Sequence, residues 1–167
     1  MHIASEYHIF CYTTFRRNTT IAQESFTAVF VVDKTPAEVT AAINNVRGWW
    51  SGQITGDTDR IDAEFTYSVP GVHRSTQNIT EIIPNKKIVW HVRDASLSFI
   101  KEEDEWKGTD IIFEIVAIGT KTEVRFEHKG LVPDFECYDA CSNAWNLLIN
   151  GNLFRFIMTG EVQPSPW

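Results

Sequence analysis

The sequence predicts an α+β domain: a curved antiparallel sheet of about six or seven strands wrapped around a long C-terminal helix. Three observations point there. Several stretches alternate apolar and polar residues with a period of two, the mark of strands with one covered face. They are separated by short turn signals such as Pro70-Gly71 and Pro84-Asn85, which suit antiparallel neighbours. The last element, from near Phe135 to Thr159, has a helical stripe, and at 1.5 Å per residue it runs about 36 Å, enough to cross a sheet.

Taken in order, residues 1–23 carry His2, His8, Arg16 and Arg17 and no clear period. An N-terminal extension, an additional strand, and sequence upstream of a later start all fit them. The domain proper is expected over 24–160, with a tail over 161–167. Phe26, Ala28, Phe30 and Val32 alternate with Thr27, Val29 and Val31 as a first strand. A helix follows: Thr35 can cap it, Pro36 suits its first position and Glu38 favours its positive end. Val39, Ala42, Ile43 and Val46 form its covered side before Gly48. Trp49-Trp50-Ser51-Gly52 predicts a short second helix or turn plugging one end of the sheet.

Phe65, Tyr67 and Val69 share a parity in the next strand, and another strand runs to Ile83. Glu81 lies between Ile79 and Ile83 and is read as solvated. Ile88, Trp90 and Val92 share one side of the following strand, with Val89, His91 and Arg93 opposite. Leu97 and Phe99 suggest a short strand, and the acidic run Glu102 to Glu105 a solvated loop. Ile111, Phe113 and Ile115 share a parity, as do Val124, Phe126 and His128, with Glu114, Glu123, Arg125 and Glu127 among the intervening positions. Asp134 is the expected cap of the last helix and Gly160 its stop. On a helical wheel Cys137, Ala140, Cys141, Ala144, Trp145, Leu147, Leu148, Gly151, Phe154 and Met158 form a wide stripe. Ile149, Leu153 and Ile157 make a second ridge outside it, which needs a cover: the N-terminal segment or a second subunit in a homodimer.

Bulk properties exclude several classes. A chain of 167 residues fits one domain with a sizeable core. A net charge of −7 repels phosphate backbones and argues against nucleic acid. No run of about 18 apolar residues exists, so no membrane-inserted helix is expected. Met1 to Phe10 lack a basic region and a continuous apolar region, so no secretory signal is expected either. Three cysteines, two of them four apart on one helix, suit a reduced, cytoplasmic protein. Cys137 and Cys141 read as buried structural thiols. A Cys-Cys-His metal site with His128 matches no zinc spacing, and no metal or cofactor is expected.

The ordered motifs carry a resemblance. They are Thr35-Pro36-Ala37-Glu38-Val39, Gly48-Trp49-Trp50-Ser51-Gly52, Ile79-Thr80-Glu81-Ile82-Ile83-Pro84, Val89-Trp90-His91-Val92, Trp106-Lys107-Gly108-Thr109, and Gly130-Leu131-Val132-Pro133 followed by Glu136-Cys137-Tyr138. In these the chain resembles the START-like (SRPBCC, helix-grip) superfamily, in the branch of the activator of heat-shock protein 90 ATPase, over roughly Ser25 to Gly160. The resemblance implies a helix-grip fold with a cavity between sheet and helix. Members bind lipids, hormones and polyketides, and some are enzymes.

The candidate site follows from the inner parity. Tyr67, Trp90, Phe113, Phe126, Trp145 and Leu148 would wall a pocket for a small apolar molecule, Trp49 and Trp50 would shape its mouth, and His128 would orient the ligand. Desolvation would keep His128 neutral, able to hydrogen-bond a ligand or to act as a general base. His73 and His91 read as surface residues. No phosphate loop, catalytic triad order or zinc helix stands out, so a non-catalytic binding protein is the leading reading. The alternatives are an enzyme on a hydrophobic ring substrate with His128 as base, and an interaction module resembling the chaperone-ATPase activator.

Overall fold

The computed structural model describes residues 24–162. The expected extension over 1–23 and the end of the tail lie outside the described residues. Among the described residues seven strands form one sheet: β1 (Phe26–Val32), β2 (Gln53–Gly56), β3 (Glu64–Val69), β4 (His73–Ile83), β5 (Lys87–Leu97), β6 (Asp110–Ile118) and β7 (Lys121–Lys129). Their order is β1-β7-β6-β5-β4-β3-β2. Every pairing is antiparallel, so β2 to β7 form a meander and β1 closes beside β7. Two register shifts, between Thr76 and Gln77 and between Ile79 and Glu81, interrupt the β4–β5 ladder, and such bulges bend a sheet.

Helix α1 (Pro36–Asn44) starts as its sequence predicts. The Thr35 hydroxyl accepts from the Glu38 amide while the Glu38 carboxylate accepts from the Thr35 amide, a reciprocal cap. The expected second helix is a single 3₁₀ turn, Val46–Gly48. This turn lies hard against the C-terminal helix: a Cβ on Gly48 would fall 2.3 Å from the Phe156 ring. Only glycine permits that approach, which seats Trp49 and Trp50 in the core at 1% and 2% exposure.

Three local expectations are corrected. β5 runs unbroken to Leu97, so no separate strand holds Leu97 and Phe99; Leu97 is buried and Phe99 is exposed in the loop beyond. The C-terminal helix begins at α2 (Tyr138–Asn146), and Asp134 does not cap it. Just before it the Glu105 carboxylate, from the β5–β6 loop, accepts from the amides of Glu136 (2.6 Å) and Cys137 (2.9 Å). The acidic run is therefore not wholly a solvated surface. Glu81 matches its solvated reading: it is partly exposed and paired with Lys87 at 2.9 Å.

The third correction concerns the helix face. After α2 the backbone passes through a π-helical segment, Leu147–Leu153, into α3 (Phe154–Thr159), and ends at Gly160 in the left-handed region. The buried residues are Cys137, Cys141, Trp145, Leu148, Ile149, Leu153, Phe156 and Ile157. On an unbroken α-helix these eight would spread over about 200°. A π turn rotates less per residue, and it brings the later ones back beneath the earlier ones. Ile149, Leu153 and Ile157 are thus not an exposed ridge. They are buried, in segments that pack on β1 and α1, and so are not an exposed face that a second subunit would have to cover. Ala140, Leu147, Phe154 and Met158, expected in the stripe, are exposed instead. No helix among the described residues is long and apolar enough to cross a membrane.

Candidate functional site

A cavity of about 250 Å³ lies between α2 and the concave face of the sheet. The sheet side contributes Tyr67, Val69 and His73, with Trp50 from the segment before β2 and Val72 from the β3–β4 turn. The β5–β6 loop contributes Phe99 and Trp106, and α2 with the following turn contributes Ala140, Cys141, Ala144, Trp145 and Leu148. The aromatic walls are continuous. Trp50 stacks on Tyr67 with centroids 4.5 Å apart and meets Trp145 at 5.0 Å, and Trp145 lies within 11° of parallel to Trp106 at 5.6 Å.

Trp50, Tyr67, Trp145 and Leu148 therefore sit where the sequence predicts pocket residues. Trp49, Trp90, Phe113 and Phe126 do not reach the cavity. They form a packed aromatic block behind it, with Trp90 stacked on Trp50 at 6.1 Å, Trp90 edge-on to Phe113 at 5.0 Å, and Phe113 edge-on to Phe126 at 5.2 Å. Parity identifies the concave face correctly. It says nothing about position along the groove, and β5, β6 and β7 cross under the filled part.

His128 is corrected more deeply. It is fully buried and faces inward, but it is not part of the cavity wall. The Trp145 indole N–H donates to Nδ1 at 2.9 Å. An indole can only donate, so Nδ1 is the acceptor, and in the neutral ring the proton rests on Nε2. Nε2 then donates to the Thr109 hydroxyl at 2.8 Å, which donates to the Trp106 carbonyl at 2.5 Å. Burial, with a further push from His73, lowers the pKa to about 3. Both nitrogens are engaged by protein groups, so the imidazole joins helix, sheet and loop.

The histidine that does line the cavity is His73, read from the sequence as a surface residue. Its ring packs perpendicular to Tyr67 at 5.1 Å and to Trp106 at 4.6 Å. Nε2 is buried without a hydrogen-bond partner, and burial lowers the pKa to about 4. One signal was available: His73 shares parity with Ser75, Gln77 and Ile79, whose side chains are all buried. Three polar residues hid the alternation. The Gln77 amide, oriented so that its nitrogen donates to the Phe65 carbonyl at 3.1 Å, accepts from the Ser75 hydroxyl at 2.6 Å, and this satisfies the buried pair. His91, by contrast, is partly exposed and pairs with Asp110 at 2.8 Å.

Cys137 and Cys141 are free, buried thiols. The contact between them, and burial, push the Cys137 thiol upward, which keeps it protonated and unreactive. Among the described residues no three His, Cys, Asp or Glu side chains come together as a metal site.

No family model matches the chain. No curated protein matches it. Solved structures do. The solution structure of the Aha1 dimer from Colwellia psychrerythraea matches with a TM-score of 0.65 at 20% identity, covering 81% of this chain and 97% of that one. The crystal structure of DynU16, a protein of the dynemicin biosynthetic locus, matches at 0.63 and 13% identity over 87% of this chain and 51% of that one. CalU16 from Micromonospora echinospora matches at 0.56 and 16% identity over 80% and 76%. What these share with the present chain is the fold.

Proposed function

We propose that this domain, which has the START-like helix-grip fold of the SRPBCC and Aha1-like proteins, binds a small and largely apolar molecule without transforming it. The observation that carries this reading is the aromatic-walled cavity of about 250 Å³ between α2 and the sheet. An apolar cavity of about 150 Å³ holds benzene, so this one suits a molecule of about two fused rings. Such a site, with apolar walls and few polar groups, is the usual form of a small-molecule pocket. A binding role is favoured over catalysis because His128 is fully engaged and the Cys137 thiol is held protonated. Buried, unpaired thiols suit a reducing cytoplasmic setting.

Native mass spectrometry of freshly purified protein tests the reading directly, because a co-purified molecule reports its own mass. A complementary test fills the space. Leu148→Trp places an indole in the wall and should weaken uptake of naphthalene by at least about tenfold, with far-UV circular dichroism unchanged. Undiminished uptake by the folded variant would remove the cavity as the binding site.

A further inference from the structure

We propose that the cavity selects an uncharged, planar aromatic molecule of about two fused rings bearing a hydroxyl group, oriented by His73. This rests on the binding role proposed above and adds the chemical class of ligand and the residue that sets it. Shape is the first ground. Tyr67 and Trp50 lie within 21° of parallel and Trp145 and Trp106 within 11°, so the walls present ring faces and edges to whatever enters. Flat rings meet such walls over their whole area in offset or edge-on packing, whereas a flexible acyl chain must give up rotamer freedom to do so.

Charge is the second ground. Among the described residues no Lys, Arg, Asp or Glu lines the cavity. A carboxylate or ammonium group drawn inside would lose its hydration without gaining a counter-ion, a penalty of several kcal/mol. At the rim Val72 and Phe99 are apolar and about half exposed, at 47% and 49%, and Arg74, in the adjoining groove that shares Val69, Val72 and His73, is paired with Asp94 at 3.4 Å.

The polar ground is His73. Among the wall residues its Nε2 and the Trp106 indole nitrogen are buried and unpaired, and only the imidazole can accept as well as donate, whereas both nitrogens of His128 are satisfied by protein groups. Burial keeps the His73 ring neutral at physiological pH, so Nε2 is an acceptor in one tautomer and a donor in the other. A hydroxyl can answer either tautomer. An ether or a carbonyl can answer only one.

Equilibrium binding of four probes to the full chain at pH 7 tests the assignment: naphthalene, 2-naphthol, 2-naphthoate and decanoate. We expect 2-naphthol to bind about tenfold more tightly than naphthalene. 2-Naphthoate and decanoate should bind at least about a hundredfold more weakly than 2-naphthol. In His73→Leu the ratio of the 2-naphthol to the naphthalene affinity should fall to about one; His73→Phe serves the same purpose should the leucine variant not fold. Equal affinity for the two neutral probes, a naphthol preference that survives the substitution, or decanoate matching 2-naphthol would each overturn the proposal. If naphthalene binds while any of these is seen, the cavity reading stands and only the ligand class falls. If none of the four binds, the cavity reading falls as well.

Discussion

Two histidines on one concave face end in opposite states, and the difference is their number of partners. His128 is held by Trp145 and Thr109, residues 17 and 19 positions away, and His73 by ring faces alone. Removing the Thr109 hydroxyl isolates the reason for the first. Thr109→Val leaves the Nε2–H of His128 buried without an acceptor, and we expect a loss of about 1–3 kcal/mol in urea denaturation. Thr109→Ser keeps the hydroxyl and should recover most of it. Equal losses for both variants would mean that packing of the threonine methyl, and not the hydrogen bond, holds this corner together. Glu105→Ala should cost about 1 kcal/mol by the same measurement, since it leaves the amides of Glu136 and Cys137 without their acceptor. At this scale the sequence makes the direction of His128 legible through the parity of Val124 and Phe126. Its partners are not legible, because a hydrogen bond across two strands and a helix leaves no trace in local spacing.

Elements governed by short-range rules were legible, and those governed by tertiary contact were not. The Thr35 cap, the Gly160 stop and the alternation of β6 and β7 all act within a few residues, and each is found as predicted. The segment that leads into α2 is tied to Glu105, 31 residues before Glu136, and local spacing does not show such a contact. The π-helical segment was invisible for a related reason: a wheel drawn at 3.6 residues per turn assumes the regularity that Leu147–Leu153 breaks. That segment behaves as one residue too many. Deleting Asn150, an exposed residue bonded to Asn146, should restore an ordinary helix and keep Leu153, Phe156 and Ile157 inward. We expect its stability to stay within about 1 kcal/mol of the parent. Inserting an alanine at the same place turns the following face by about 100° and exposes those three residues. It should lower stability by more than about 3 kcal/mol. Thermal unfolding of the two variants side by side decides the matter, and similar melting temperatures would contradict the account of the helix face.

For the whole molecule, the concave cavity follows from a meander that curls around its last helix, and it was anticipated in kind but misplaced in extent. Trp49, Trp90, Phe113 and Phe126 fill one end of the groove, and the hollow survives only toward β3, β4 and α2. The same burial couples the fold to pH. The pKa of His73 is lowered to about 4 and that of His128 to about 3, against 6.5 for an unperturbed imidazole. Below pH 6.5 the unfolded chain takes up protons that the native state does not accept until about pH 4 and about pH 3. The unfolded state therefore binds more protons throughout that window, and stability falls as pH falls across it. Each histidine can contribute up to about 1.4 kcal/mol per pH unit, so the pair reaches several kcal/mol, a large share of the roughly 5–15 kcal/mol that holds a domain folded. Carboxylates titrate in the lower part of the same range, and Glu38, whose pKa is lowered by its hydrogen bonds to Thr35, acts in the same direction. The discriminating measurement is thus a difference between proteins. Urea midpoints at pH 7, 6 and 5 should decline steeply for the parent and less steeply for His73→Leu, by the slope of up to one proton. Coincident slopes would mean that His73 titrates in the folded protein as it does in water, and would withdraw the neutral imidazole on which ligand orientation depends.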